Sequence, residues 1–118
     1  KHSIPVIGVC RGMQLIQDYF GQSLTKIQGH VACRHRLKKL TGSHVKWLRK
    51  YPYVNSYHDY GANSTVKELQ VTSRSEDGVV MSVEHIKHQL FGYMWHPERE
   101  HTFSQLDIAL FKNIYGII

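Results

Sequence analysis

A chain of 118 residues has room for one domain, and with 42% apolar, 20% charged and 11% aromatic residues it has the material for a core. Three prolines and nine glycines, spread among apolar residues, exclude a low-complexity chain, and no run approaches the roughly 18 apolar residues of a membrane span. Fifteen Lys and Arg against nine Asp and Glu give a net charge of +6. That balance suits an anionic partner such as nucleic acid, a nucleotide or a phosphorylated metabolite, and equally a merely solvated basic surface. Two cysteines, Cys10 and Cys33, exclude a disulfide scaffold and suit a reducing, cytoplasmic setting. No basic segment followed by an apolar one opens the chain in the manner of a secretory signal. The chain starts on Lys1 and reaches a strand-like run by Ile4, so it is expected to be a piece of a longer protein.

Residues Ile4 to Val9, IPVIGV, form an apolar β-branched run without alternation, the pattern of a strand buried on both faces of a parallel sheet. Cys10-Arg11-Gly12 follows at once. Met13, Leu15, Ile16, Tyr19 and Phe20 then recur at helical spacing, and Gly21 supplies a C-terminal stop. Gln22 to Leu40 reads as loop and short strand, with a cluster His30-Val31-Ala32-Cys33-Arg34-His35 and a basic tail. Thr41-Gly42-Ser43 reads as a turn. Tyr53 to His58 is a β-rich run. Leu69 to Arg74 and Val79 to Glu84 are strand-like and joined through Asp77-Gly78, which predicts a hairpin. Leu90 to Trp95 is a further strand, halted by His96-Pro97-Glu98. A last helix is predicted with Thr102 as cap, Gln105 completing a capping box, and Phe103, Leu106, Leu110 and Ile114 on one face.

Gly8-Val9-Cys10-Arg11-Gly12 has the G-x-nucleophile-x-G form of a nucleophile elbow. The glycines admit a tight strand-to-helix turn, and the turn lifts the sulfur above the sheet. A helix N-terminus there favours thiolate, and the Arg11 N–H points where an oxyanion forms. A thiolate needs a base. His96, at the end of a strand, supplies an imidazole, and Glu98 two residues on can fix its tautomer, completing a Cys-His-Glu triad. Taken alone, a buried cysteine is more often inert core, and a His-Pro-Glu more often a plain strand stop. The two motifs together outweigh those readings.

GVCRGMQ, VNSYH and WHPE, in this order, resemble class I glutamine amidotransferase-like domains, and within them the gamma-glutamyl-gamma-aminobutyrate hydrolase-like branch. The resemblance runs from Pro5 to the final helix. It implies an α/β fold with a mostly parallel central sheet and flanking helices. Residues 1–118 would be one such domain, its C-terminal part, lacking an N-terminal portion. By position, Cys10 matches the nucleophile, His96 the base and Glu98 the third member. Gln14 matches a contact to the glutamyl part. Arg34 and His35 match a stretch that in some relatives holds the glutamyl carboxylate, where an arginine fork is chemically apt. His58 lies in a motif close to the site. Tyr60 stands where many amidotransferases have Gln, a departure that tilts the reading toward the hydrolases. The second oxyanion donor of the family lies in a glycine-rich loop well upstream of the nucleophile, in a segment this chain does not include.

The implied reaction is cleavage of a γ-glutamyl amide through a thioester, releasing glutamate, with no cofactor and no metal. HVACRHRL, VNSYHDYG and MWHPERE are similar to the gamma-glutamyl-CDP-amidate hydrolases, for which an anionic, nucleotide-linked substrate would suit the basic charge. The alternative within the same chemistry is a glutaminase delivering ammonia to a synthetase partner. Two other classes are weaker. His30, Cys33 and His35, with His44 or His58, make a metal-binding module conceivable, though without a standard zinc spacing. Nucleic-acid binding has charge in its favour but no motif. Neither nucleic acid nor membrane is an expected partner.

Overall fold

The computed structural model describes residues 4–99 and 104–116. Its elements in chain order are β1 (Val6–Val9), α1 (Arg11–Tyr19), β2 (Thr25–Lys26), β3 (Val31–His35), α2 (Val45–Leu48), β4 (Val54–Tyr57), β5 (Tyr60–Gly61), β6 (Leu69–Arg74), β7 (Val80–His85), β8 (Leu90–Tyr93) and α3 (Gln105–Tyr115). A 3-10 turn over Pro97–Arg99 follows β8. The main sheet runs β1-β8-β7-β6, and β2–β5 and β3–β4 form two small antiparallel ribbons.

The main sheet is mixed rather than mostly parallel. Only β1 and β8 run parallel, while β7 is antiparallel to both β8 and β6. The reason is the length of the connections. A parallel return needs a crossover of about a dozen residues or more, and β6, β7 and β8 follow one another through tight turns that can only reverse the chain. The expected hairpin is present: Gly78, at φ +88°, closes the Ser75–Gly78 turn with its N–H donating to the Ser75 carbonyl at 3.0 Å.

Alternate residues of β8 carry helices on opposite faces. A Cβ on Gly92 would lie 2.7 Å from Met13 Cγ in α1, whereas Tyr93 turns its ring toward Phe111 of α3. Met13, Val80, Met81, Val83, Met94, Trp95 and Leu110 are all no more than 1% exposed and form the centre of the core. Each such side chain contributes about 2 kcal/mol by leaving water. Gly8 and Gly92 face each other across the parallel ladder, and a Cβ on Gly8 would meet the Gly12 backbone at 2.7 Å. This pair of bare positions lets α1 lie flush on β1 and β8. On α1 itself the buried positions are Met13 and Gln17, one turn apart, while Leu15 and Tyr19 face outward.

The last helix starts later than predicted. Ser104 is its cap, its hydroxyl accepting from the Leu106 N–H at 3.1 Å, and Gly116 ends it in the left-handed region. The predicted Thr102 cap and Phe103 lie outside the described residues. A serine hydroxyl satisfies a first-turn N–H as well as threonine does, and the packing of the helix fixes where it starts. Here Asp107 in the first turn is buried and accepts from both Tyr51 Oη (2.5 Å) and Trp95 Nε1 (3.1 Å), pinning the register of α3 to the end of β8.

Candidate active site

Cys10 sits between the last residue of β1 and the first of α1, with φ 50° and ψ −100°. A side chain larger than glycine rarely adopts a positive φ, and doing so costs on the order of 1–3 kcal/mol. The surroundings enforce it. The Cys10 N–H donates to the Tyr93 carbonyl at 2.7 Å, extending the β1–β8 ladder by one step, and its own carbonyl already accepts the first α1 bond from the Gln14 N–H at 2.9 Å. The elbow read from the glycine pattern is therefore present. The two glycines are not equivalent, however. Gly8 has no room for a Cβ, whereas one on Gly12 meets no described atom within 4 Å.

Burial pushes the Cys10 thiol above its ordinary 9.0. The Arg11 N–H, and then the charges of Arg11 and Arg99, pull the other way without overcoming it. At 8% exposure desolvation outweighs the pull of the helix N-terminus toward thiolate.

Because β1 and β8 are parallel, their C-terminal ends lie at the same edge of the sheet, and His96 follows Tyr93 by three residues. The 3-10 turn over Pro97–Arg99 folds Glu98 back on His96, whose Nδ1 is 2.5 Å from Glu98 Oε2. A carboxylate can only accept, so Nδ1 carries the proton and Nε2 is left as the base. Partial burial would raise the Glu98 carboxyl, but its bond to His96, a backbone N–H and the charges of His96 and Arg99 hold it below the ordinary 4.5. Among the described residues no hydrogen bond joins the Cys10 thiol to His96. What unites them is their place at the ends of neighbouring strands.

Asn55 carries a role that sequence reasoning missed. Its amide Nδ2 donates to the His96 carbonyl and its Oδ1 accepts from the His96 N–H, both at 2.7 Å, while the residue itself is only 4% exposed. An amide within the β-rich run VNSY was the available signal. Tyr57 lays its ring edge against His96 at 5.9 Å between centroids, and the Arg99 guanidinium lies 4.5 Å over the Tyr57 ring.

The other expected residues distribute as follows. Gln14 Nε2 donates to the Tyr60 carbonyl at 3.1 Å, and His58 Nδ1 donates to the same oxygen at 3.0 Å, so both tie α1 and β4 to β5. His58 is buried, and burial, with the nearby His30, His35 and His96, lowers it to about 4 despite its bond to Tyr60. It is a neutral wall residue beside His96. Arg34 and His35, read as one carboxylate-binding stretch, are successive strand residues and diverge. Arg34 lines a cavity of about 170 Å³ with Tyr51, Tyr53, Asn55, Trp95 and Asp107. His35 instead meets the Gly29 carbonyl at 2.8 Å and Glu76 Oε1 at 3.1 Å. Cys33 turns its thiol to the Gly29 and Val31 carbonyls, and His44 bonds Asn113 and packs on Phe91, so the expected His-Cys-His module is not assembled from those residues.

The gamma-glutamyl-CDP-amidate hydrolase of Campylobacter jejuni is 27% identical over 109 residues, covering 92% of this chain and 50% of that protein. Component 2 of the anthranilate synthase of Methanocaldococcus jannaschii is 31% identical over 118 residues, covering 93% of this chain and 60% of that one. The chain thus spans about half the length of the curated relatives it matches. A solved Thermoplasma acidophilum protein, assigned as one component of a GMP synthase, superposes with a TM-score of 0.79 at 23% identity, over 98% of this chain and 57% of that one. A Thermotoga maritima glutamine amidotransferase gives 0.66 at 18% identity, over 92% and 47%. These two structures share the fold. The class-I glutamine amidotransferase family model matches residues 1–115, and with the elbow cysteine and the strand-end histidine in place, the chain belongs to the class-I glutamine amidotransferase family.

Proposed function

We propose that the protein carrying this chain is a cysteine-dependent hydrolase of γ-glutamyl amides. The observation that carries this reading is the pairing of a positive-φ cysteine with a Glu98-oriented histidine at the ends of two parallel strands. As the Cys10 sulfur attacks the γ-carbonyl, its proton passes to His96 Nε2 and the carbonyl oxygen becomes an oxyanion facing the Arg11 N–H. Collapse breaks the C–N bond, and His96 returns the proton to the departing amine. Water then attacks the thioester with His96 taking its proton, the C–S bond breaks, His96 returns the proton to the Cys10 sulfur, and glutamate leaves. A thiol held neutral at rest suits this order of events, because its proton passes to His96 as the sulfur attacks.

In this proposal Gln14, Arg34, His35 and His58 are expected on the substrate side. Arg34 is the best placed of them, since its cavity shares Asn55 with the base. Residues 1–118 form one unit of the domain, and the second oxyanion donor comes from polypeptide outside them. The C. jejuni relative and the net charge of +6 support an anionic, nucleotide-linked leaving group. No helix among the described residues is long and apolar enough to cross a membrane, and we place the activity in the cytoplasm. The M. jannaschii relative supports a second reading, a glutaminase working with a synthetase. The test is hydrolysis by the full-length protein of γ-glutamyl phosphoramidates, simple γ-glutamyl amides and glutamine, with Cys10→Ala as control. Turnover of the first two well above glutamine is expected. Glutamine hydrolysis alone, stimulated by a partner, would establish the second reading. Activity that survives Cys10→Ala would remove both.

A further inference from the structure

A second cluster of side chains, carried by residues at both ends of β3 and by the β6–β7 turn, takes no part in the chemical steps. His30 is fully buried, with Nδ1 3.1 Å from Ser56 Oγ and Nε2 2.8 Å from Asp77 Oδ2. His35 stacks on it, with 4.2 Å between ring centroids and 18° between planes. One ligand atom from each of His30, His35 and Asp77 lies within 4.8 Å of the other two.

The hydrogen bonds around the cluster are those of metal ligands. A carbonyl can only accept, so His35 Nε2, 2.8 Å from the Gly29 carbonyl, carries its proton. That leaves Nδ1 of the neutral ring as a lone pair, and it faces Glu76 Oε1 at 3.1 Å. Two acceptors confront each other there, and they are reconciled only by a proton or by a cation. His30 has the complementary arrangement. The Ser56 hydroxyl can accept from Nδ1, which frees Nε2 as a lone pair toward the Asp77 carboxylate. In both rings one nitrogen is anchored to an oxygen acceptor while the other looks toward a carboxylate, the way hydrogen-bonded neighbours orient metal-bound histidines. A metal ion satisfies both lone pairs at once; without it, His35 takes a proton against Glu76 and His30 adopts the tautomer that donates from Nε2 to Asp77.

We propose that His30, His35 and Asp77 form a binding site for a single divalent transition-metal ion of the zinc class. Two imidazoles and a carboxylate are borderline ligands, which favour such an ion over magnesium or calcium. Tetrahedral coordination at about 2.0–2.1 Å sets the ligand atoms about 3.3 Å from one another, so Asp77 Oδ2, 2.8 Å from His30 Nε2, draws back slightly to admit the ion. That adjustment falls on the exposed partner: the Asp77 side chain is 48% accessible and sits on the Ser75–Gly78 turn, while His30 is fixed in the interior. Glu76 or water completes the fourth position. The ion ties β3 to the β6–β7 turn, and through the His58 N–H, which donates to the His30 carbonyl at 2.8 Å, it steadies the segment beside His96.

The experiment is titration of the metal-free, full-length protein with zinc against a chromophoric chelator, together with cobalt(II) absorption spectra. One equivalent is expected to bind, with nitrogen–oxygen d–d bands and no thiolate charge-transfer band, and to raise the unfolding temperature. Asp77→Asn and His35→Gln, both at accessible positions, are each expected to weaken binding at least tenfold while retaining the parent circular dichroism. Cys10→Ser is expected to leave zinc affinity unchanged. Binding that is lost in Cys10→Ser, a thiolate band, or equal affinity in the parent and in the Asp77→Asn/His35→Gln double variant would each overturn the site.

Discussion

Asn55→Ala tests whether the histidine proposed as the base is positioned through its backbone. The parent amide makes two reciprocal 2.7 Å bonds to the His96 backbone from a residue only 4% exposed. Truncation strands one N–H and one C=O in a partly dry environment, at about 1–3 kcal/mol per group. His96 is itself half-buried, so water reaches part of the gap and a total of about 2–4 kcal/mol is expected. Urea unfolding followed by the fluorescence of the buried Trp95 measures this, with the slope checked for two-state behaviour. Asn55→Asp sharpens the test. A carboxylate still accepts from the His96 N–H but repels its carbonyl, and a protonated carboxyl donates again. Its deficit should therefore shrink as the solution is made acidic. In turnover, kcat should fall by more than KM rises, because both described Asn55 bonds hold the His96 backbone. An Ala variant within about 0.5 kcal/mol of the parent, the range of an ordinary surface change, would refute the reasoning.

Gly8→Ala should destabilise the chain by about 1–3 kcal/mol or more, since the new Cβ meets the Gly12 backbone at 2.7 and 2.8 Å; Gly12→Ala should instead gain up to about 1 kcal/mol, both read from urea midpoints. His58 is lowered to about 4 from 6.5, so the unfolded chain takes up its proton first: its contribution is complete above pH 6.5 and is lost as the pH falls from 6.5 to 4, about 3 kcal/mol in all. The matching NMR titration of its ring should have a midpoint near 4; a midpoint near 6.5 would count against a buried neutral ring. With the Cys10 thiol raised above 9.0, its alkylation rate in the free protein should climb about tenfold per pH unit through neutrality and beyond pH 9. A plateau below pH 8 would show a resting thiolate.

The parts of the site that were legible in the sequence are those written in short range. The elbow needs only Gly8, Cys10 and a following helix, and Glu98 reaches His96 across two residues. What stayed hidden depends on pairing between distant segments. Asp77 joins His30 across 47 residues, so the sequence displayed Cys33, a neighbour in the chain, where the fold supplies a carboxylate. Arg34 and His35 look like one unit until they are known to be consecutive on a strand, where period two sends them to different sides. The direction of the sheet was misjudged because an apolar, non-alternating β1 speaks for parallel neighbours of that strand alone; the tight links between β6, β7 and β8 decide the rest. Asn55 is a buried amide whose partners are backbone atoms, and no motif records those.

The ladder between β1 and β8 has a consequence for tolerance to change. The proposed nucleophile Cys10 and base His96 follow adjacent strands, with Gly8 opposite Gly92, Val9 opposite Tyr93, and the Cys10 N–H on the Tyr93 carbonyl. Their separation is thus set by the spacing of hydrogen-bonded strands, not by the eighty-odd residues threaded between them. Lengthening the exposed loop around Asn63 and Ser64, or circularly permuting the chain there, should leave the sulfur-to-imidazole geometry where it is. A one-residue deletion between Leu90 and His96 should not, because it shifts every rung at once.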